Sequence, residues 1–472
     1  MRRALAASRR TLAWASGPLR WLAEVDASHA AGKAVAARGT RLVNSRLLAT
    51  GPRTGLVSAG VAAAFVGLRV IVAGHGHVGA LVVAGSDYVS PSRYTRGIPI
   101  TAGSGYDGQF YYRTALSPWT WSRQAFGIRF DTLGRLDRVA YPALVWLASA
   151  GQHVATPAMM ALVNVAALGL LAGCGSVLAR ECGRHPLWGL LLAGFFGLLW
   201  SLSRDLTELT EAAFLVGALA AMRARKPVLA GAALGVAVLA REPALLIAGA
   251  VLLARLFSIV PHGREGSEGG AARGGRAAGA PGGTAVGDEA LGGRAAGARG
   301  GTARGGTARG GWPSWDDASW AIPVVAFATW QIALRVGTGT FPLFTSSQNN
   351  AGVPLVGLAH GLAHYAERFP SVSSLLWFGE LAVLLLVGAL AAFTLGQSTA
   401  TLYEKVAWAA ACLLAISLTS GIWLGDVGFR SLDDFYLLSI VLLLSSRVRL
   451  DAVGLCVGSA WVVVAVELVR FI

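Results

Sequence analysis

The stretch GYDGQFYY, residues 105–112, contains an aspartate that follows Gly105 by two residues and directly precedes Gly108. This aspartate, Asp107, is the residue best suited to chemistry in this sequence. The glycines let the backbone bend tightly and approach a ligand closely. Asp107 then projects from a bend, where a carboxylate can accept a proton from a hydroxyl. The pattern predicts a general base at Asp107. The alternative is an interfacial aromatic loop in which the aspartate only forms a turn.

The side chains around Asp107 suit a ligand that carries rings and hydroxyl groups. Tyr106, Tyr111 and Tyr112 offer flat faces that stack on sugar rings or lie at a membrane interface. Gln109 can both donate to hydroxyls and accept from them. We therefore predict that these four residues bind the ligand beside Asp107.

The composition is that of a membrane protein. The chain has 472 residues, of which 54% are hydrophobic and only 14% are charged, whereas soluble domains carry about 25% charged residues. Its net charge of +15 comes from arginines that alternate with apolar runs. Cytoplasmic loops collect such residues, so the charge indicates topology and predicts no nucleic-acid partner.

Apolar runs, judged against the roughly 20 residues that cross a bilayer, predict an all-α polytopic protein with about 11 transmembrane helices. The N-terminus is expected inside and the C-terminus outside. The stretch 141–151 is too short to cross and is expected to form a re-entrant or interfacial helix within a large first external loop. The predicted spans cover residues 55–74, 156–178, 187–203, 209–223, 227–240, 244–260, 318–335, 373–394, 405–424, 433–447 and 451–470.

The predicted spans fall into two modules. Between them the motif GGRAAGA occurs at 274–280 and again at 292–298, and Gly/Ala/Arg repeats of this kind bury no core. The N-terminal segment is basic, and either an amphipathic surface helix or a flexible tail fits it. The predicted parts are the basic cytoplasmic segment 1–54, a transmembrane module 55–260, a disordered cytoplasmic loop 261–313 and a C-terminal transmembrane module 314–472.

Charged residues gather at the external ends of the predicted spans. Acidic residues at helix starts are favoured by the helix dipole, so capping explains part of the pattern. Capping does not require the arginine that accompanies the acids at two separate span ends. Such Arg–acid pairs suggest a charged cavity that binds an anion. The predicted binding residues here are Arg138, Arg204, Asp205, Glu208, Arg241, Glu242 and Arg430.

The motif GYDGQFYY, in the first external loop, resembles the GT-C superfamily of polyprenyl-phosphate-sugar-dependent glycosyltransferases. It is most similar to bacterial relatives of the GPI and protein mannosyltransferases. In those families an acidic residue of an Asp-Gly-type motif is the proposed base, and Asp107 matches it. The segment RLDRVAYPALVWLAS (135–149) resembles their aromatic–proline segment, while RDLTE (204–208) and REP (241–243) resemble polar loop ends that line the donor cavity. The likeness covers about 55–260; the C-terminal half matches only as variable helices, and the WWDYG motif of oligosaccharyltransferases is absent from the sequence.

The resemblance implies an inverting glycosyltransferase at the external face of a bacterial cytoplasmic membrane. Its donor would be a polyprenyl-phosphate sugar and its acceptor a glycan, a glycolipid or a protein, with membrane lipids around it. Arg204, Arg241 or Arg430 would neutralise the phosphate. A divalent cation on the external acids is possible, but no residue spacing requires a metal. The Ala-, Gly- and Arg-rich composition indicates a high-GC actinobacterium.

Two other functions fit the sequence. A transporter or flippase for a lipid-linked or anionic solute would place charges near the membrane midplane, whereas here they cluster at external span ends. A non-catalytic protein of envelope assembly would share the fold without needing Asp107. The transporter predicts movement of the solute without sugar transfer, and the assembly protein predicts that Asp107→Asn is tolerated.

Overall fold

The computed structural model describes residues 50–259, 319–345, 350–425 and 428–470. The repeat region 261–313 and the basic segment before residue 50 lie outside these ranges. The predictions of a disordered loop and of a basic cytoplasmic segment therefore fall on residues that the structure does not describe.

Helices dominate the described chain, and only two pairs of two-residue strands accompany them, β1 (Ala84–Gly85) with β2 (Ile100–Thr101) and β3 (Gln124–Ala125) with β4 (Ile128–Arg129). In chain order the α-helices are α1 Gly51–Val72, α2 Gly108–Leu116, α3 Ala140–Ser149, α4 Thr156–Glu181, α5 Leu190–Ala193, α6 Gly197–Ser203, α7 Glu208–Arg223, α8 Pro227–Ala240, α9 Ala244–Ile259, α10 Ile322–Thr338, α11 Pro342–Thr345, α12 Val356–Glu367, α13 Val372–Thr394, α14 Leu402–Ile416, α15 Ser420–Leu424, α16 Asp433–Leu444 and α17 Asp451–Arg470. Short 3-10 helices cover Val78–Val82, Leu133–Asp137, Pro186–Gly189, Ser319–Ala321 and Gly428–Leu432.

The chain is a multi-pass helical membrane protein. Among the described residues, five helices are long and apolar enough to cross a bilayer, namely α1, α4, α10 with its preceding 3-10 turn, α13 and α17. A sixth crossing results if Pro186–Ala193 and Gly197–Ser203, which meet at 64°, form one broken span. Proline stands in the first turn of α1, α4, α8 and α10, where the helix loses no internal hydrogen bond.

Each predicted span coincides with a helix or a pair of helices, but several of these helices are short. α7, α8, α9, α14 and α16 have 16, 14, 16, 15 and 12 residues, fewer than the roughly 17–25 that a bilayer requires. The number of eleven crossings therefore stays a prediction. The stretch predicted as a separate short helix outside the spans forms the ten-residue α3.

Two predicted spans are interrupted in the structure. The span 187–203 breaks between α5 and α6, where the ring of Phe195 stacks on Tyr436 of α16 with centroids 4.7 Å apart. The span 405–424 ends as α14, and α15 follows as a separate helix. The first break coincides with aromatic packing between helices that are remote in sequence. An apolar run in the sequence does not indicate such a contact.

Residues 73–155, predicted as the large first external loop, form a compact unit between α1 and α4, and we name it the external unit after that prediction. It holds both strand pairs, α2, α3 and two 3-10 helices. Its core is made of the buried side chains of Phe110, Tyr111, Tyr112, Ile128 and Phe130, and is distinct from the core of the helical bundle. The loop predicted as large and helix-bearing is thus folded around aromatic residues of its own.

Helices α7 and α16 connect two polar layers of the bundle. At one end lie Glu208 of α7 and Asp433 of α16, both buried. At the other end Arg223 donates to Glu404 and to Ser445, each at 2.7 Å. The 16 residues of α7 rise about 24 Å. The two layers therefore mark opposite ends of the same bundle.

Helices α1 and α4 pack through small residues. A Cβ placed on Gly55 would lie 2.7 Å from the carbonyl oxygen of Gly169, and one on Gly51 would lie 3.0 Å from that of Gly173. Small residues let membrane helices approach this closely, and the gain is van der Waals contact between backbones. The first span is held against the bundle along this seam.

We expect Gly55→Ala to destabilise the protein, because overpacking a tight contact against backbone costs about 1–3 kcal/mol. Gly60→Ala is the matched control on the same helix, where a Cβ would meet no described atom within 4 Å. Thermal unfolding in detergent should show a lower midpoint for Gly55→Ala alone. Equal midpoints for the two variants would mean that the seam does not limit stability.

Candidate active site

Two glycines set the position of Asp107 at the start of α2. Gly105 has φ of 63°, in the left-handed region that favours glycine. A Cβ on Gly108 would collide with the carbonyl oxygen of Arg204. The glycines therefore bring Asp107 against the turn that joins α6 to α7, as the bend predicted from the sequence requires.

Two arginines clamp the Asp107 carboxylate. Nη2 of Arg135 lies 2.9 Å from Oδ1, and Nη2 of Arg430 donates to Oδ2 at 2.8 Å. Arg135 also donates to both oxygens of Asp131. The Asp107 side chain is 15% exposed. Arg430 comes from the far end of the chain, so the clamp joins the external unit to the C-terminal module.

The clamp controls the protonation of Asp107. Burial alone would raise the pKa of this carboxyl, but the charges of Arg135 and Arg430, with the hydrogen bond from Arg430, outweigh burial and hold the pKa well below its usual range. A carboxylate in this state is a weak base, since general bases work best with a pKa near the operating pH. Asp107 becomes a stronger base only if Arg135 or Arg430 leaves it and binds another anion.

The charge network continues from Arg430 into the bundle. Nη1 of Arg430 donates to Glu208 Oε1 at 3.0 Å, and the Ser201 hydroxyl donates to Oε2 at the same distance. Nη1 of Arg241 donates to Glu211 at 2.9 Å and to both oxygens of Asp433 at 2.8 Å. These charged groups of α7, α8 and α16 thus meet at one end of the bundle.

A second ion pair, formed by Arg138 and Glu242, lies beside this network. Nε of Arg138 donates to both oxygens of Glu242 at 3.0 Å, and its Nη1 donates to the hydroxyl of Tyr111 at 3.0 Å. The carboxylate and the phenol lie on elements far apart in sequence. Arg138 therefore fixes the external unit to the turn between α8 and α9.

A cavity of about 300 Å³ opens beside these groups. Arg135, Arg138 and Arg241 are among its lining residues, and Arg135 also binds Asp107 at 2.9 Å. The lining also includes apolar side chains such as those of Leu246, Leu414 and Leu418. The lining residues are Thr132, Gly134, Arg135, Asp137, Arg138, Arg241, Glu242, Pro243, Leu246, Leu343, Asn350, Ala351, Leu414, Leu418, Ile422 and Ser431.

Capping, the alternative considered for the acids at span ends, accounts for part of their contacts. Among the described residues, neither Asp107 before α2 nor Thr207 before α7 makes a side-chain capping hydrogen bond. Glu208 and Asp433 nevertheless stand in the first turns of α7 and α16 and meet backbone amides there, where the helix dipole favours a carboxylate. Glu208 also binds Arg430 and Ser201, which capping does not require.

Of the predicted binding residues, the structure brings five into this region with Asp107: Tyr111, Arg138, Glu208, Arg241 and Glu242, all linked through Arg–acid or Arg–phenol contacts. Arg430 belongs to the same group through the clamp. Tyr106 lies at its edge, where the guanidinium groups of Arg204 and Arg430 each lie 5.1 Å from its ring centroid.

Three predicted binding residues are buried and are not among the residues that line the cavity. Gln109 accepts from the amide of Gly85 and donates to the carbonyl of Ser104. The Tyr112 hydroxyl donates to the carbonyl of Tyr94 at 2.6 Å. Asp205 is fully buried in the turn before α7. Ligand contact for these three residues stays a prediction.

Arg204 also lies outside the clamp. Its guanidinium lies 4.2 Å from the centroid of the Trp200 ring and 5.1 Å from that of Tyr106. Cation–π contacts of this kind hold an arginine against aromatic faces. The prediction that Arg204 meets a phosphate is therefore less well supported by position than the same prediction for Arg241, which lines the cavity.

Arg135 and Asp137 are charged cavity residues that lie outside the predicted binding set, although they share the segment RLDR with Arg138. The spacing of two arginines three residues apart around an aspartate could have indicated them. Gln331 donates to Asp137 Oδ1 at 2.7 Å. Burial raises the pKa of Asp137 to about 7. The cavity wall thus contains a carboxyl that titrates near neutral pH.

Asp137 should make stability fall with rising pH. Its pKa is raised in the folded protein, so the folded state binds more protons than the unfolded state between about pH 4 and pH 7, and stability is lost across that window. Asp137→Asn removes this loss while keeping an oxygen that accepts from Gln331. We expect the variant to match the wild type near pH 4, below the window, and to unfold at a higher temperature near pH 8.

Asp87→Asn, which changes an exposed acid of the same external unit, is the control for thermal unfolding at both pH values. It should keep the pH dependence of the wild type. If the unfolding temperatures of Asp137→Asn and the wild type differ by the same amount at both pH values, the raised pKa does not belong to Asp137.

No model of a known family, no curated protein and no solved structure matches the chain. No residue role can therefore be carried over from a relative. The functional argument rests on the geometry of this site.

Proposed function

We propose that the chain is a GT-C-type membrane glycosyltransferase that transfers a sugar, with inversion, from a polyprenyl-phosphate donor to a glycan, glycolipid or protein acceptor of the bacterial cell envelope. One observation carries the proposal. Three arginines and several apolar side chains line one cavity, and one of these arginines also binds the carboxylate of Asp107.

The mixed lining of the cavity suits a lipid phosphate. Guanidinium groups pair well with phosphate oxygens, and Arg135, Arg138 and Arg241 supply them. Leu414 and Leu418 are among the apolar lining residues and suit an isoprenoid chain. A soluble sugar nucleotide would have no use for these apolar residues.

The phosphate would also activate Asp107. Arg135 lines the cavity and binds Asp107 at the same time. A phosphate that drew Arg135 away would remove one of the two charges that depress the Asp107 pKa. The freed carboxylate oxygen would then be a stronger base. Donor binding and base activation are coupled through this one side chain.

In the proposed transfer step, one bond forms at the anomeric carbon and one breaks. The acceptor hydroxyl oxygen attacks the anomeric carbon as its proton passes to Asp107. The bond from that carbon to the phosphate oxygen breaks on the opposite face, and polyprenyl phosphate leaves with the electron pair. Arg135, Arg138 and Arg241 would stabilise the charge that develops on the leaving group.

The eleven-span topology, with the site on the external face of the cytoplasmic membrane, belongs to this proposal. It is supported by the two polar layers at opposite ends of α7 and α16. The layer with Arg223 and Glu404 would face the cytoplasm, beside the basic loop Arg223–Lys226. The Asp107 layer would then face outward, where donor and acceptor meet.

A transporter is the second candidate, because of the break between α5 and α6. Discontinuous helices that meet at an angle, here 64°, line the substrate sites of many transporters. The same break in a transferase would only shape the bundle around Tyr436. Assays of transfer and of uptake separate the two functions.

Membranes that contain the wild type should transfer sugar from one of a panel of radiolabelled polyprenyl-phosphate sugars to membrane acceptors. Asp107→Asn should lower the rate by about 10²–10⁴-fold, the usual contribution of a general base. Asp87→Asn, the same substitution at an exposed site of the external unit, should leave it unchanged.

Equal amounts of each variant, measured after size-exclusion chromatography in detergent, control for folding. Transfer by Asp107→Asn at the wild-type rate would remove Asp107 from the mechanism. Movement of a lipid-linked donor across liposome membranes without transfer from any donor would replace the transferase with the transporter.

A further inference from the structure

Three carboxylates meet at the inner end of the charge network. Glu211 lies one turn into α7, and Asp433 and Asp434 begin α16. One oxygen from each lies within 4.8 Å of the others. The three residues are at most 3% exposed. Two helices from different modules thus bring acidic groups together away from water.

Several of these oxygens lack a partner. Oε1 of Glu211 and both carboxylate oxygens of Asp434 are buried and have no hydrogen-bond partner in the described part of the chain. A buried carboxylate without partners costs much free energy. Two such groups facing each other are both acceptors, so a proton or a cation between them is needed to relieve the repulsion.

The local charge is unbalanced. Arg241 binds Glu211 and Asp433 through Nη1 at 2.9 and 2.8 Å and is the arginine in contact with this group among the residues described. The neighbouring arginine Arg430 is engaged by Asp107 and Glu208. Three carboxylates against one guanidinium leave two negative charges to be neutralised, which is the charge of one divalent cation.

From these observations we propose that Glu211, Asp433 and Asp434 form a binding site for one hard divalent cation such as Mg²⁺ or Mn²⁺. Such ions prefer carboxylate oxygens. Opposite oxygen ligands lie about 4.2 Å apart around Mg²⁺ and up to about 5 Å apart around Ca²⁺. The 4.8 Å within which these atoms lie therefore falls in the Ca²⁺ range, and the carboxylates would have to close by about half an ångström around Mg²⁺. The inference does not depend on the proposed sugar transfer.

Arg241 links the site to the cavity. It lines the cavity and binds two of the three carboxylates, so an ion would have to displace this side chain to reach them. The bound ion would join α7 to α16 and fix the position of Arg241. A metal at this site would therefore act by orienting the cavity wall, at a distance from Asp107.

The test is a titration of Mn²⁺ into the purified full-length chain in detergent. The chain is first treated with EDTA, which is then removed. The electron paramagnetic resonance signal of free Mn²⁺ reports how much of the added ion is bound. We expect one saturable site per chain, from which Mg²⁺ displaces Mn²⁺. Asp434→Asn should weaken Mn²⁺ binding by at least about tenfold. Asp451→Asn, the same change at the exposed first residue of α17, should leave it unchanged.

The wild type alone can overturn the proposal, whether or not the variants fold. If it binds no Mn²⁺ above the level of a denatured sample, a proton shared between Glu211 and Asp434 accounts for the cluster. Retention of wild-type Mn²⁺ affinity by a folded Asp434→Asn variant would equally exclude the site. Thermal unfolding with and without Mg²⁺ gives a second readout, since a ligand of the folded state raises the midpoint.

Discussion

Buried arginines that pair with carboxylates of remote helices hold the molecule together at the end of the bundle where the Asp107 clamp lies. Arg241, after α8, binds Asp433 of the C-terminal module, and Arg430 of that module binds Asp107 and Glu208. Burying an ion pair adds little net stability, but removing one partner costs about 3–5 kcal/mol because a lone charge remains. The network therefore imposes one arrangement of the modules more than it stabilises them. The cavity and the clamp exist only in that arrangement.

The sequence predicts the helices well because apolar runs and their charged ends are local properties. Glu208, Arg241 and Glu242 could be recognised as unusual for the same reason, since they stand at the ends of apolar runs. What the sequence could not reveal is pairing across distance. Arg430 and Asp107 are 323 residues apart, and no local pattern indicates that they share a hydrogen bond. Break positions within spans, set by contacts such as that of Phe195 with Tyr436, are equally nonlocal.

Aromatic and amide side chains near Asp107 show a different limit. Tyrosine and glutamine serve equally well for binding a sugar and for building a small core, so their types alone could not separate the two roles. The contacts that each side chain makes in the fold are different. Gln109 and Tyr112 bind the backbone of the external unit, whereas the Tyr111 hydroxyl accepts from Arg138. These contacts depend on the folded chain, and which of the residues meets a ligand stays a prediction.

The length of α7 has a further consequence for the depth of the charged groups. Its polar ends are separated by about 24 Å, less than the roughly 30 Å of hydrocarbon in a typical bilayer. Because α7 and α16 are almost wholly buried in the bundle, other helices meet the lipid, and their length sets the thickness of the bilayer beside the protein. In a bilayer of typical thickness at least one polar layer would then lie below the headgroups, and a lipid phosphate would have to descend into the protein to reach arginines at that depth.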